Sequence, residues 1–182
     1  MKDLALHILD IIQNSIRAEA TLIELLILEN DTKNRYDIQI IDNGKGMSEE
    51  LVKQVIDPFF TTRTTRKIGL GISLFKQNAE QTGGSLELES KLGKGTCLKV
   101  NFVKDNIDRQ PLGDIIGVIT LVVSANPDIE FIYTHQTDKG KYIFDTREIK
   151  QVLDGVPIAN AEVIGYLKEM LNGNLEEIQI TK

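Results

Sequence analysis

The chain of 182 residues contains no tryptophan, one cysteine, four prolines and two histidines, and only 5% of it is aromatic. A single thiol, Cys97, excludes an internal disulfide and a thiolate metal cluster. Its place between strand-like residues marks it as a buried structural thiol rather than a reactive one. Positive charge is also scarce. With 21 Lys and Arg against 27 Asp and Glu, the net charge of -6 excludes nucleic-acid binding through a general basic surface, though not a local basic patch. Long apolar runs are missing as well. The longest, Ile115 to Ala125, is interrupted by Gly117, Thr120 and Ser124 and is too short to span a bilayer. Asp3, His7 and Asp10 interrupt any signal-like apolar core at the N-terminus, so a cytoplasmic protein with neither membrane nor nucleic-acid partner is expected. What remains, 41% hydrophobic and 26% charged residues, is the composition of a globular chain with one domain or one domain and a small companion.

Residues 3 to 20 read as a helix with Leu9, Ile12, Ile16 and Ala20 on a core face. His7, Asp10, Asn14 and Arg17 fall on another face, at steps that stack carboxylate, amide and guanidinium within reach of each other. Thr21 to Glu29 is a nearly continuous apolar run that suits a strand covered on both faces. After the turn residues 30 to 34, Tyr36, Ile38 and Ile40 alternate with Asp37 and Gln39. Asp42 shares the apolar parity, so its carboxylate points inward at the strand's end and requires a polar partner there.

Asn43 to Met47 form a glycine-bearing turn before a short helix that ends at Asp57 and Pro58. The segment 59 to 67 (FFTTRTTRK) holds three cations and no acid, a polar loop of unusual charge for this chain. Gly69, Leu70 and Gly71 lead into a helix to about Gln81, which Gly83 and Gly84 terminate. Ser85 to Ser90 and Thr96 to Val103 read as a hairpin across Lys91 to Gly95. Residues 105 to 112 form a linker, and residues 113 to 182 a small α/β region. That region is expected to hold a helix, with a strand as the alternative, from Asp114 to Ser124, a hairpin of Ile129 to His135 with Lys141 to Phe144, and a helix capped by Asp145 and ending at Leu153. A further helix runs from Asn160 to Leu171, and a final strand covers Leu175 to Ile180.

The succession HxxxDxxxN, DNGKGM, PFFTTR, GLGISL and GKGT, over about residues 1 to 104, resembles the nucleotide-binding domain shared by DNA gyrase, heat-shock ATPase chaperones, sensor histidine kinases and mismatch-repair ATPases. PFFTTR with GLGIS and GKGT is most similar to the histidine-kinase branch, whereas QNSIRAEAT is similar to the mismatch-repair branch. The resemblance implies an α+β fold, a two-layer sandwich of the Bergerat type in which helices cover one face of a mixed sheet, and it implies ATP and Mg2+ as ligands. It assigns the metal to Asn14, a neutral oxygen donor suited to a cation that keeps its waters. Asp42 resembles the aspartate that receives the adenine amino group, beside Gly44, Gly46 and Met47, and Thr96 resembles the threonine closing the base pocket. Gly69, Leu70 and Gly71 bring helix amides to the phosphates. Arg17 stands at a phosphate-contacting position, and Arg63, Arg66 and Lys67 make the basic loop an electrostatic lid.

Two positions depart from that pattern. Asp10 lines up with the catalytic glutamate of the ATPase branches and is one methylene shorter, a displacement of about an ångström that weakens water activation. Lys67 and Ile68 stand where many kinases have glycine and threonine. Neither His7, on the nucleotide-binding helix, nor His135, on a strand, has the setting of a phosphoacceptor. The expectation is therefore a stand-alone kinase half that phosphorylates a partner protein in trans, with Asp10 as the catalytic carboxylate and a homodimer among the assemblies it allows. The alternative is a slow ATPase or ATP-gated switch that binds a partner through its C-terminal region.

Overall fold

Strand alternation decides which face of this molecule is covered. In the computed structural model, which describes residues 2–56 and 70–181, the elements follow the order α1 (Leu4–Arg17), β1 (Leu22–Asn30), β2 (Arg35–Asp42), α2 (Glu49–Ile56), α3 (Leu70–Gln81), β3 (Ser85–Lys91), β4 (Gly95–Val103), α4 (Ile115–Ala125), β5 (Glu130–Thr137), β6 (Gly140–Asp145), α5 (Thr146–Leu153) and α6 (Ala161–Glu177). The six strands form one mixed sheet in the order β3-β4-β2-β1-β5-β6, antiparallel except where β1 meets β5. Every second residue is buried: Ile23, Leu25 and Ile27 of β1, Tyr36, Ile38 and Ile40 of β2, Leu98, Val100 and Phe102 of β4, and Phe131 and Tyr133 of β5. These residues form one core with the inner faces of α1, α3, α4 and α6, as the α/β sandwich expectation requires. No helix among the described residues is long and apolar enough to cross a membrane.

Four local expectations are corrected. β1 is covered on one face only, since Leu22, Glu24, Leu26 and Leu28 alternate with the buried set and stay half-exposed. Cys97 has the outward parity of β4 and is half-buried rather than buried, with Gln39 Nε2 donating to its Sγ at 3.4 Å. In α1 the core face is Leu4, Ala5, Ile8, Ile11, Ile12 and Ser15, while Leu9 and Ile16 are half-buried. The helix is apolar around much of its circumference, and packing against α3 and α4 chose the face. α6 does not stop before Gly173 or give way to a strand at Leu175; it runs to Glu177 because Val163, Leu167, Leu171 and Leu175 repeat every four residues into the core. That burial outweighs the cost of about 1 kcal/mol that each helical glycine imposes.

The C-terminal residues extend the same sheet, with β5 paired to β1 from Leu22 opposite Glu130 to Leu28 opposite Gln136. Residues 105–112 are tied to the start of α1, where the amides of Leu4 and Ala5 donate to the carbonyls of Pro111 and Leu112 at 3.0 and 2.8 Å.

Candidate functional site

The inward parity of Asp42 leaves this residue only 8% exposed at the end of β2. A buried carboxylate without donors costs several kcal/mol, and two donors meet it. Ser15 Oγ donates to Oδ2 at 2.7 Å and the Gly44 amide to Oδ1 at 2.9 Å. Ser15 belongs to α1, so the helix that carries Asn14 also holds the carboxylate in place. Asn43 fastens the same corner, its Oδ1 accepting from the amides of Thr21 and Leu22, both at 2.9 Å, and its Nδ2 donating to Thr21 Oγ1.

The turn that follows is wedged between α1 and the β3–β4 connection. Lys45 N–H donates to the Ala18 carbonyl and Gly93 N–H to the Lys45 carbonyl, both at 2.8 Å. Gly46 has φ +66°, and a Cβ there would sit 2.1 Å from the Lys91 carbonyl oxygen, so no other residue fits. Thr96 lies directly opposite Asp42 in the β2–β4 register. Ser90 Oγ stands 3.0 Å from Thr96 Oγ1 and accepts from the Met47 amide at 2.8 Å, which links Met47 to the same corner; the Met47 side chain packs half-buried on the core.

Along α1, Arg17 Nη1 donates to Asn14 Oδ1 at 3.0 Å, as the spacing predicted. Asp10, one turn earlier, abuts the start of α3. A Cβ at Gly71 would lie 1.6 Å from Asp10 Oδ2, so glycine is what allows this carboxylate and the helix N-terminus to approach. The structure thus gathers Asp10, Asn14 and Arg17 of α1, Asp42, Gly44, Gly46 and Met47 after β2, Gly71 in the first turn of α3 that Leu70 opens, and Thr96 of β4. Arg63, Arg66, Lys67 and Gly69 lie outside the described residues.

Neither histidine is presented to solvent. His7, 3% exposed, stacks on Phe75 of α3 with ring centroids 4.8 Å apart and 11° between planes. Burial pushes its imidazole below the usual histidine range, against weaker opposing pulls from Gln110, Asp10 and Asp3. His135, 0% exposed, lies between Tyr133 and Glu29 inside the sheet's far end. Sequence reasoning passed over Ser15, Asn43 and Ser90 as parts of the site. Ser15 had a signal: it follows Ile11 by four residues and Ile12 by three, which places its hydroxyl on the apolar face, where it needs a buried acceptor just as Asp42 needs a buried donor.

The sequence of residues 2–106 matches the family described as histidine kinase-, DNA gyrase B- and HSP90-like ATPase. The chain belongs to this family. Among relatives, it is 33% identical over 100 residues to the sensor protein SrrB of Staphylococcus aureus, an alignment covering 52% of this chain and 17% of that protein. It is 25% identical over 99 residues to the sensor histidine kinase YvrG of Bacillus subtilis, with the same two coverages. The chain therefore matches less than a fifth of the length of these relatives. Two solved structures share the fold. One is the N-terminal domain of a DNA repair protein, with a TM-score of 0.55, 20% identity, and coverage of 79% of this chain and 52% of that one. The other is the MutL ATPase domain of Aquifex aeolicus complexed with ADP, with a TM-score of 0.53, 18% identity, and coverage of 85% and 70%. This chain thus carries an ATP-binding domain of histidine-kinase-like type, built on the mixed six-stranded sheet of that fold.

Proposed function

We propose that this ATPase-family domain binds Mg-ATP at the Asp42 corner and transfers a phosphoryl group to a second protein. ATP supplies the transferable phosphoryl group. The residues present fit it: Asp42 holds one donor on each oxygen and keeps lone pairs for the amino group of the base, and Gly44 and Gly46 leave that approach free of side chains. Asn14 presents a neutral oxygen to magnesium. Magnesium retains water and phosphate oxygens as further ligands, so a single protein oxygen is enough to hold it beside the phosphates. Arg17 steers the Asn14 amide and adds positive charge beside it. Leu70 and Gly71 begin the helix whose amides face the anion, and Thr96 borders the base pocket, with Met47 anchored beside it. Asp10 accepts or orients the proton of the attacking group.

The observation that carries transfer in trans is the burial of both histidines. With His7 at 3% and His135 at 0% exposure, neither imidazole is placed to receive a phosphoryl group, which supports an acceptor outside residues 1–182. Asp10 supports the second reading, a slow ATPase or ATP-gated switch, because the carboxylate lies against the start of α3, where a water could be activated only at the reduced efficiency of a shortened base.

The deciding experiment incubates the purified chain with magnesium and γ-labelled ATP, with and without lysate of its source cells, beside Asn14→Ala and Asp10→Asn. A second labelled protein that vanishes with Asn14→Ala is the expected result. Free phosphate alone, lost in the same variant, would establish the switch instead, and failure to bind ATP would overturn both readings.

A further inference from the structure

The two edges of the sheet differ in how they meet a second strand. β3 forms one edge and β6 the other. Antiparallel pairing of two copies about a twofold axis sets a residue opposite its symmetry mate. On β3, whichever of Glu87, Leu88 or Glu89 lies on that axis, a glutamate meets a glutamate, and like charges directly opposite repel. That edge is guarded against itself.

β6 (GKYIFD) carries no such guard. Its outward backbone groups follow from two hydrogen bonds. Glu130 N–H donates to the Thr21 carbonyl on the β1 side at 2.9 Å, whereas Phe131 N–H donates to Thr146 Oγ1 on the β6 side at 2.9 Å. Odd-numbered residues of β5 therefore face β6. With His135 opposite Tyr142 and Tyr133 opposite Phe144, those pairs hold the ladder, and Lys141, Ile143 and Asp145 turn their N–H and C=O groups away from β5. With Ile143 on the axis, all three outward residues meet outward residues. Lys141 then faces Asp145 of the second copy twice, joining Arg147, which already pairs with that carboxylate within its own chain, and Ile143, 51% exposed, covers its own mate.

We infer that β6 is a homodimerisation edge, joining two six-stranded sheets into one continuous antiparallel seam centred on Ile143. The occupant is a second copy of this chain because charge and hydrogen-bonding parity agree in one self-paired register. The twofold axis directs the Asp42 ends of the two copies in opposite directions, leaving each candidate nucleotide site clear of the seam. This inference stands independently of the phosphotransfer reading.

Sedimentation velocity of the full chain from about 5 to about 200 µM, the range in which short interfaces assemble, tests it. A concentration-dependent dimer is expected. Ile143→Lys, which sets two cations together on the axis, and Ile143→Pro, which removes an N–H that β5 does not use, should each weaken it at least about tenfold with the melting temperature of the monomer retained. Glu87→Lys on the other edge should leave it unchanged. In a Cys97→Ser background, Ile143→Cys should cross-link under mild oxidation, and Glu87→Cys should not. A monomer across the whole range, a dimer indifferent to Ile143→Lys, or cross-linking at residue 87 instead of 143 would overturn the assignment. If Ile143→Pro fails to fold, Ile143→Lys and the cross-link decide alone.

Discussion

Two carboxylates point inward from the same face of one sheet, at opposite ends. Asp42 closes β2 beside the candidate nucleotide site, paired in the ladder with Ile23 near the start of β1, whereas Glu29 lies near the other end of β1, opposite Tyr36. Asp42 receives two hydrogen bonds, from Ser15 and the Gly44 amide, and its oxygens are not saturated. The Glu29 side chain is 0% exposed and closed in by three groups. Its Oε1 meets His135 Nε2 and accepts from the Thr181 amide, both at 2.9 Å, and its Oε2 lies 2.9 Å from Lys104 Nζ. Tyr133 Oη stands 2.6 Å from His135 Nδ1 behind them. Burial pushes the Glu29 carboxyl up, but the bonds from His135, Thr181 and Lys104 prevail and hold it at about 2. The same functional group thus serves two ends. A carboxylate enclosed by an imidazole, a backbone amide and an ammonium clasps β1, β5, the residue after β4 and the C-terminal tail together, and one held by two donors at the end of β2 keeps lone pairs for a ligand.

The comparison breaks most visibly if Glu29 is removed. Glu29→Ala takes the buried acceptor from His135 and the Thr181 amide, while Lys104 keeps Asp31, and should destabilise the domain by about 3 kcal/mol in urea unfolding at pH 7, because buried donors lose their partner. Nucleotide affinity of the folded fraction should stay within about twofold, since the two ends share no partner. A large affinity loss would mean that the ends are coupled.

Acid probes the engaged end without a mutation. A carboxyl whose folded value lies below its ordinary 4.5 contributes stability that is complete above 4.5 and is lost as pH falls toward about 2. The size is on the order of 3 kcal/mol. His7 adds an earlier decline, because burial lowers its value below 6.5 and the unfolded chain takes the proton first as pH falls through that point. Unfolding free energy measured from pH 8 to pH 3 should therefore fall in two stages. A smaller acid stage in Glu29→Gln, with the His7 stage retained, would assign the difference to Glu29, since the carboxyls of Glu130 and Asp145 are also held below the ordinary range and keep their share.

Much of the Asp42 end was legible from residues, and the Glu29 end was not, for one reason. Asp42 stood out because β2 alternates visibly, so an inward carboxylate was an anomaly that needed a partner. Glu29 shares the parity of Ile23, Leu25 and Ile27, yet the run TLIELLILE is apolar on both faces and reads as a doubly covered strand, in which parity carries no information. His135 was hidden in the same way, because the carboxylate it meets comes from β1, distant in sequence. The hairpins β3–β4 and β5–β6 and the helix caps at Asp145 and Asn160 were visible because turn and cap chemistry is local. The extent of α6 was not, since only the core decides whether a helix passes through Gly173.

A smaller effect sharpens the comparison from the open side. Asp42→Asn keeps the shape and the acceptor for the Gly44 amide but presents a donor where the base presents its own, so ATP affinity should fall about 100-fold by calorimetric titration. Stability should change by no more than about 1 kcal/mol, the reverse of the Glu29 pattern. Substantial unfolding in this variant would show that Asp42 is as structural as Glu29.

Ser15 gives the finest test, because it touches only the carboxylate's orientation. Its Oγ donates to Oδ2 at 2.7 Å and reaches the Ile11 carbonyl only at 3.4 Å, so Asp42 is its principal partner. Ser15→Ala leaves Oδ2 with one donor fewer and frees the carboxylate to rotate about its remaining bond to Gly44. If orientation matters, ATP affinity should drop about tenfold while stability falls by about 1 kcal/mol, and Ser15→Thr, which restores the hydroxyl, should recover most of the affinity. A base that binds equally well to Ser15→Ala would mean that Gly44 alone positions Asp42, and the helix bearing Asn14 would then contribute to the phosphate side of the site only.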